Sequence, residues 1–268
     1  MQFWTGFVLA LAISAAALAA GSLSSSGAIA SVALGTLVFG FGGWTSAAVL
    51  LTFFITSSLL GRLTQRSGRQ PAGVYAKGGR RDAGQVLGNG IAAATFSLLG
   101  YLNPGAIWAW VGFAGSIAAV NADTWATELG ALSAAAPRLI TRLRQRVPRG
   151  TSGGVSIEGS LAAILGAGLV GSVAALLTPV RDAELVLPIT VGGVVGAVLD
   201  SFLGATVQAM YVCTAEQVET EQHPTHRCGA PTIHSRGLSW LGNDLVNLAC
   251  GAAGGLVACL VAGALASR

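Results

Sequence analysis

The 268-residue chain has 15 Lys+Arg and 11 Asp+Glu, so charged residues make up 10% of it, against about 25% in an ordinary soluble domain. Hydrophobic residues reach 53%, mean hydropathy is +0.67, and 38 positions are glycine. These values exclude a soluble enzyme, a disordered chain and, at a net charge of +4, a nucleic-acid binder; long, non-alternating apolar runs point instead to a polytopic membrane protein with helical spans.

Taken in order, eight runs are near the length that a helix needs to cross a bilayer: 3–20, 28–41, 44–61, 83–102, 104–123, 156–178, 185–208 and 240–265. The expected fold is therefore all-α, one integral-membrane domain over 1–268 with about eight spans. The second and third runs are short, with only Gly42-Gly43 between them, so they read as a tight helical hairpin or a bent pair. The first run lacks the basic leader of a signal peptide and reads as a retained span.

Cations orient the bundle. Arg62, Arg66, Arg69, Lys77, Arg80 and Arg81 fall in one loop, Arg138, Arg142, Arg144, Arg146 and Arg149 in a second, and Arg227 and Arg236 in a third. The opposite loops carry only Arg181. The positive-inside rule makes 62–82, 131–155 and 209–239 cytoplasmic and puts both termini outside, as in a bacterial-type inner membrane.

On that topology the polar residues of the spans gather at the cytoplasmic end. Ser57 and Ser58 close the third span, Gln85 and Asn89 open the fourth, and Asp123, Thr124 and Glu128 close the fifth. Ser152, Gly153, Gly154, Ser156 and Glu158 open the sixth, Asp200, Ser201 and Gln208 close the seventh, and Asn243, Asp244 and Asn247 open the eighth. Gln85/Asn89 and Asn243/Asn247 are i,i+4 pairs on one helix face, and Asp200, Gly204 and Gln208 form an i,i+4,i+8 stripe. Asp123 and Glu128 are about 140° apart on an ideal helix, so they share a ligand only if the helix breaks.

A carboxylate inside a span is a functional candidate by default, whereas a single Asn or Gln there is more often a helix-to-helix hydrogen bond. No Lys or Arg inside a span pairs with Asp200, and Mg²⁺ would do so. The loop 150–156 is a flexible entry to a helix N-terminus: a phosphate cradle or a plain cap, and not a Walker A sequence. The spacing Cys213-x9-His223-x2-His226-x-Cys228 matches no standard zinc site, and Glu216, Glu219 and Glu221 read as a solvated face. Short echoes between spans two to four and six to eight suggest a parallel internal repeat.

At 81–90, 122–130, 150–156, 200–208 and 228–247 the chain resembles the membrane family that includes the plant phytyl-phosphate kinase and its bacterial relatives. The five blocks stand in the family's order. Two features depart from its pattern: Gly88 replaces what is usually Ala, and the Cys213–Cys228 loop looks like a degenerate form of a more cysteine-rich ribbon. The resemblance implies phosphoryl transfer from a nucleoside triphosphate, CTP or another, to an isoprenyl monophosphate at the cytoplasmic face. In that reading Asp123, Asp200 and Asp244 hold Mg²⁺, and Glu128 supports them. Arg80, Arg81, Gln85, Asn89, Ser152, Gly153, Gly154, Ser156, Glu158, Ser201 and Gln208 hold phosphate or nucleotide, and Thr232, His234, Asn243 and Asn247 complete the site. A cytidylyltransferase, or a transporter or scramblase for a lipid phosphate, remains open at this point.

Overall fold

A computed structural model describes residues 1–66, 80–178 and 182–267. Arg69, Lys77 and Arg181, used above to orient the chain, lie outside the described residues. Among the described residues seven helices form the bundle: α1 (Gln2–Ala19), α2 (Ser25–Arg66), α3 (Ala83–Leu102), α4 (Ile107–Gly130), α5 (Ile157–Leu177), α6 (Val186–Thr206) and α7 (Asn243–Ala266).

The 42 residues of α2 would extend about 63 Å as a straight helix. Instead Arg62 near its end donates to the Ala20 carbonyl and to Ser22 Oγ, each at 2.9 Å, immediately before its start. The helix therefore folds back on itself. The reversal is at Gly43, whose φ of +68° is open to glycine and costly for other residues. Of the hairpin and the bent pair expected at Gly42-Gly43, the structure has the hairpin, and the described residues form eight helical arms. Among the described residues five helices (α1, α2, α5, α6 with the short 3₁₀ turn before it, and α7) are long and apolar enough to cross a membrane.

The bundle packs glycines and alanines between its helices and exposes many large apolar residues at its surface. Leu165, Leu176 and Leu260 are 65%, 70% and 72% exposed, a surface that water would not tolerate over a whole protein and that lipid accepts. Residues 111–122 of α4 are all buried, because this helix is surrounded by α2, α3, α5, α6 and α7. Close approach requires the glycines: a Cβ on Gly196 of α6 would lie 2.5 Å from Ala119 Cβ and 2.7 Å from the Cys250 carbonyl.

Two departures from the expected fold bear on the site. First, α4 continues to Gly130, seven residues past the apolar run, because its last two turns face a protein cavity rather than lipid. Second, the chain is not purely helical: the loops after α4 and α6 each build a three-stranded antiparallel sheet. β1 (Arg138–Leu139), β2 (Arg142–Arg146) and β3 (Gly154–Val155) have the order β2-β1-β3. β4 (Met210–Cys213), β5 (Glu219–Thr220) and β6 (Thr232–Arg236) have the order β5-β4-β6. The strands are two to five residues long, too short for a period-two pattern to stand out.

Candidate functional site

A cavity of about 950 Å³ opens at the end of the bundle where α2, α4 and α6 finish and α3, α5 and α7 begin. Three helix N-termini, each the positive end of a helix dipole, thus face one space. Gln85 and Asn89 of α3, Ser156 of α5, and Asn243 and Asn247 of α7 line it, so each i,i+4 pair turns the same face to the cavity.

Asp123 and Asp200 line the cavity and lie close enough to interact electrostatically with each other and with Glu221. Glu221 follows β5, lines the same cavity and accepts from Gln208 Nε2 at 2.8 Å. It is a carboxylate that the sequence reading placed on a solvated face, and that placement is corrected. Glu219 likewise pairs with Arg236 at 2.8 Å. No local pattern marks Glu221, since its position depends on a partner 13 residues away.

Because α4 does not break, Asp123 and Glu128 point to different sides. Glu128 accepts a hydrogen bond from Thr64 Oγ1 and lies near Arg81. The Arg81 guanidinium sits over the rings of Phe53 and Phe54, 5.2 and 5.7 Å from their centroids. Its backbone bridges Ser22 and Ser24, which fixes the entry to α3. Two buried polar atoms at this cavity have no hydrogen-bond partner among the described residues: Arg81 Nη1 and Asp200 Oδ2. One is suited to an anion, the other to a cation.

The loop 150–156 forms another wall. Gly153 has φ +79°, and a Cβ there would lie 2.6 Å from the Ala205 amide nitrogen. The turn is pressed against α6 with no room for a side chain. Ser152 Oγ donates to Gln208 Oε1 at 3.2 Å, so buried Gln208 ties this loop to Glu221. Gln208→Leu removes both bonds. It is expected to destabilise the protein by about 1–3 kcal/mol, seen as a lower midpoint of thermal unfolding in detergent.

Ser201, Gly154 and Glu128 also line the cavity. Several expected residues do other work as well. Ser156 caps α5 by accepting from the Gly159 amide at 3.1 Å, and Gln85 completes a capping box with Asp82. Others lie outside the lining. Arg80 is exposed, and Glu158 is bonded to Ser133 Oγ at 2.9 Å on the outer side of α5. Thr232 is buried on β6 and donates to the Pro224 carbonyl, and His234 is exposed beside Tyr211. Asp244 lies on the first turn of α7, its backbone carbonyl against Gly88. Arg62 and Arg227, read only as orientation signals, line the cavity together with Arg149.

A family model described as integral membrane protein DUF92 matches residues 8–255. An uncharacterized membrane protein of Methanocaldococcus jannaschii is 36% identical over 73% of this chain and 79% of its own length. Protein PGR of Arabidopsis thaliana is 34% identical over 72% of this chain and 74% of its own. The chloroplastic protein VTE6 of the same plant is 26% identical over 89% of this chain and 65% of its own. No solved structure matches the chain.

Proposed function

The chain belongs to the DUF92 family of integral membrane proteins, and from that premise we propose that it phosphorylates an isoprenyl monophosphate, such as a phytyl, geranylgeranyl or longer polyprenyl one, using a nucleoside triphosphate. The observation that carries this reading is the pair of orphaned atoms, Arg81 Nη1 and Asp200 Oδ2, in a cavity that three helix N-termini enter. A site built to take an anion and a cation together suits a metal-bound phosphate. The resemblance of blocks 81–90, 122–130, 150–156, 200–208 and 228–247 to the family that includes the plant phytyl-phosphate kinase supplies the substrate class.

In this reading all eight arms cross the bilayer, the arms 2–4 and 6–8 are related by a repeat, and the cavity faces the cytoplasm with both termini outside. The lipid tail stays in the membrane while its phosphate enters the cavity. A phosphate oxygen of the lipid attacks the γ-phosphorus, the bond from that phosphorus to the β–γ bridging oxygen breaks, and nucleoside diphosphate leaves. The attacking oxygen is already anionic, so no strong general base is required. The work falls to positioning and charge neutralisation. Asp123 and Asp200, with Glu221 beside them, fit a divalent cation, since Asp200 Oδ2 has no hydrogen-bond partner among the described residues. Mg²⁺ there would neutralise charge on the transferred phosphoryl group. Arg81, Arg62, Arg149 and Arg227 and the amides of loop 150–156 hold phosphate oxygens. Asn89, Asn243 and Asn247 orient them.

The test incubates purified protein with geranylgeranyl monophosphate, Mg²⁺ and each nucleoside triphosphate in turn. The expected product is the lipid diphosphate, with the free alcohol left unchanged. Absence of diphosphate with every nucleotide and with phytyl monophosphate would overturn the proposal.

A further inference from the structure

Outside the cavity, the loop from β4 to β6 gathers a second set of chemically able side chains. Cys213 ends β4, and His226 and Cys228 flank a tight turn in which the Gly229 amide donates to the His226 carbonyl at 2.8 Å. Their ligand atoms all lie within 4.8 Å of one another. Cys213 Sγ and Cys228 Sγ are 3.5 Å apart, and His226 Nδ1 is 3.2 Å from Cys228 Sγ. The same ring nitrogen is 3.9 Å from Glu216 Oε2. Around tetrahedral zinc, with bonds of about 2.3 Å to sulfur and about 2.0 Å to nitrogen or oxygen, ligand atoms stand about 3.3–3.8 Å apart. The S···S and Nδ1···Sγ separations fall within a few tenths of an ångström of that, and Glu216 is the more distant group.

We propose that Cys213, His226 and Cys228 form a structural zinc site, closed by the Glu216 carboxylate, that pins the loop carrying Glu221 to the cavity. Spacing along the chain conceals the site, because the metal would clip a β-hairpin-like excursion rather than a standard knuckle pair. Backbone amides already serve the sulfurs as they do in metal–thiolate sites. The Glu216 amide donates to Cys213 Sγ at 3.4 Å, assisted by that of Ala215, and the Ala230 amide reaches Cys228. His226 is buried, and the carboxylate of Glu221 follows five residues after Glu216, so fixing the ends of this loop fixes that carboxylate.

Zinc binding is measured on the full-length protein in detergent, without lipid or nucleotide, so the outcome is separate from the phosphoryl-transfer assay. After loading with Zn²⁺ and desalting, elemental analysis should give one zinc per chain. Cys213→Ser, Cys228→Ser and His226→Ala should each lose it, and the double variant Cys250→Ala/Cys259→Ala should keep it. Glu216→Gln should weaken retention about tenfold or more, and unchanged retention would overturn Glu216 as the fourth ligand. Because the Ser variants could fail to fold, wild-type protein loaded with Co²⁺ gives an independent reading. A tetrahedral thiolate spectrum, with two thiols protected from alkylation, supports the site. Wild-type protein that holds no zinc with both thiols free, or that carries a Cys213–Cys228 disulfide, would overturn it.

Discussion

Asp200→Asn is expected to lower the rate of phosphoryl transfer by at least about 10²-fold while raising the thermal midpoint of the metal-free protein. The two effects share one cause. Asp200 Oδ2 is buried with no hydrogen-bond partner among the described residues, and Asp123 and Glu221 add like charge beside it. Such an arrangement costs stability until a cation fills it. The amide keeps the shape and removes the charge. Relief of an uncompensated buried charge beside two like charges is worth about 1–2 kcal/mol, or about 2–8 °C for a chain of this length. Losing a group that stabilises charge in the transition state costs about 10²–10³ in rate. Asp123→Asn should follow the same pattern. Asp244→Asn, outside the cavity lining, should leave more activity than either. Steady-state rates and unfolding curves on the same preparations check this. A variant that loses activity together with stability would place Asp200 in the framework rather than the site.

The second large effect is expected at Gly153→Ala. The substitution meets two obstacles at once. The φ of +79° disfavours any side chain, and the new Cβ would lie 2.7 Å from Ala205 Cα, on the backbone of α6. Backbone strain of about 1–3 kcal/mol and a comparable packing penalty both act on the loop that faces the cavity. Activity should fall by about 10²-fold or more, with nucleotide binding weakened, because the amides of 150–156 are displaced. Gly105→Ala is the control: its φ is similarly positive, +85°, but nothing lies within 4 Å, so it tests strain without the clash. If the two variants behave alike, close packing against α6 is not what shapes the loop.

The sequence pattern carried the helices because apolar length is a local property. The reversal at Gly43 was legible in two adjacent glycines between short apolar runs, and α3 begins and ends at the expected residues. The clustering of polar residues at one end was legible too, since it follows from which end of each helix they occupy. The rest depends on contacts between distant parts of the chain. Glu221 reaches the cavity only because Gln208 holds it, and Arg62 turns inward only because α2 folds back. Glu158 opens α5 as expected, yet its helix face turns it toward Ser133 and away from Asp200. Asp244 shows the same limit: one residue from Asn243, it shares the helix turn without sharing the cavity lining. The small sheets lay hidden because strands of two to five residues leave no periodic trace.

In the proposed reaction the cavity transfers the terminal phosphoryl group of a nucleotide to a lipid phosphate. The most direct measurement supplies two nucleotide preparations, one labelled at the γ-phosphorus and one at the α-phosphorus, with geranylgeranyl monophosphate and the purified protein. Label is expected in the lipid diphosphate from the γ-labelled nucleotide alone, dependent on Asp200 and accompanied by nucleoside diphosphate. Label entering the lipid from the α-position with release of pyrophosphate, or entering from neither, would contradict it.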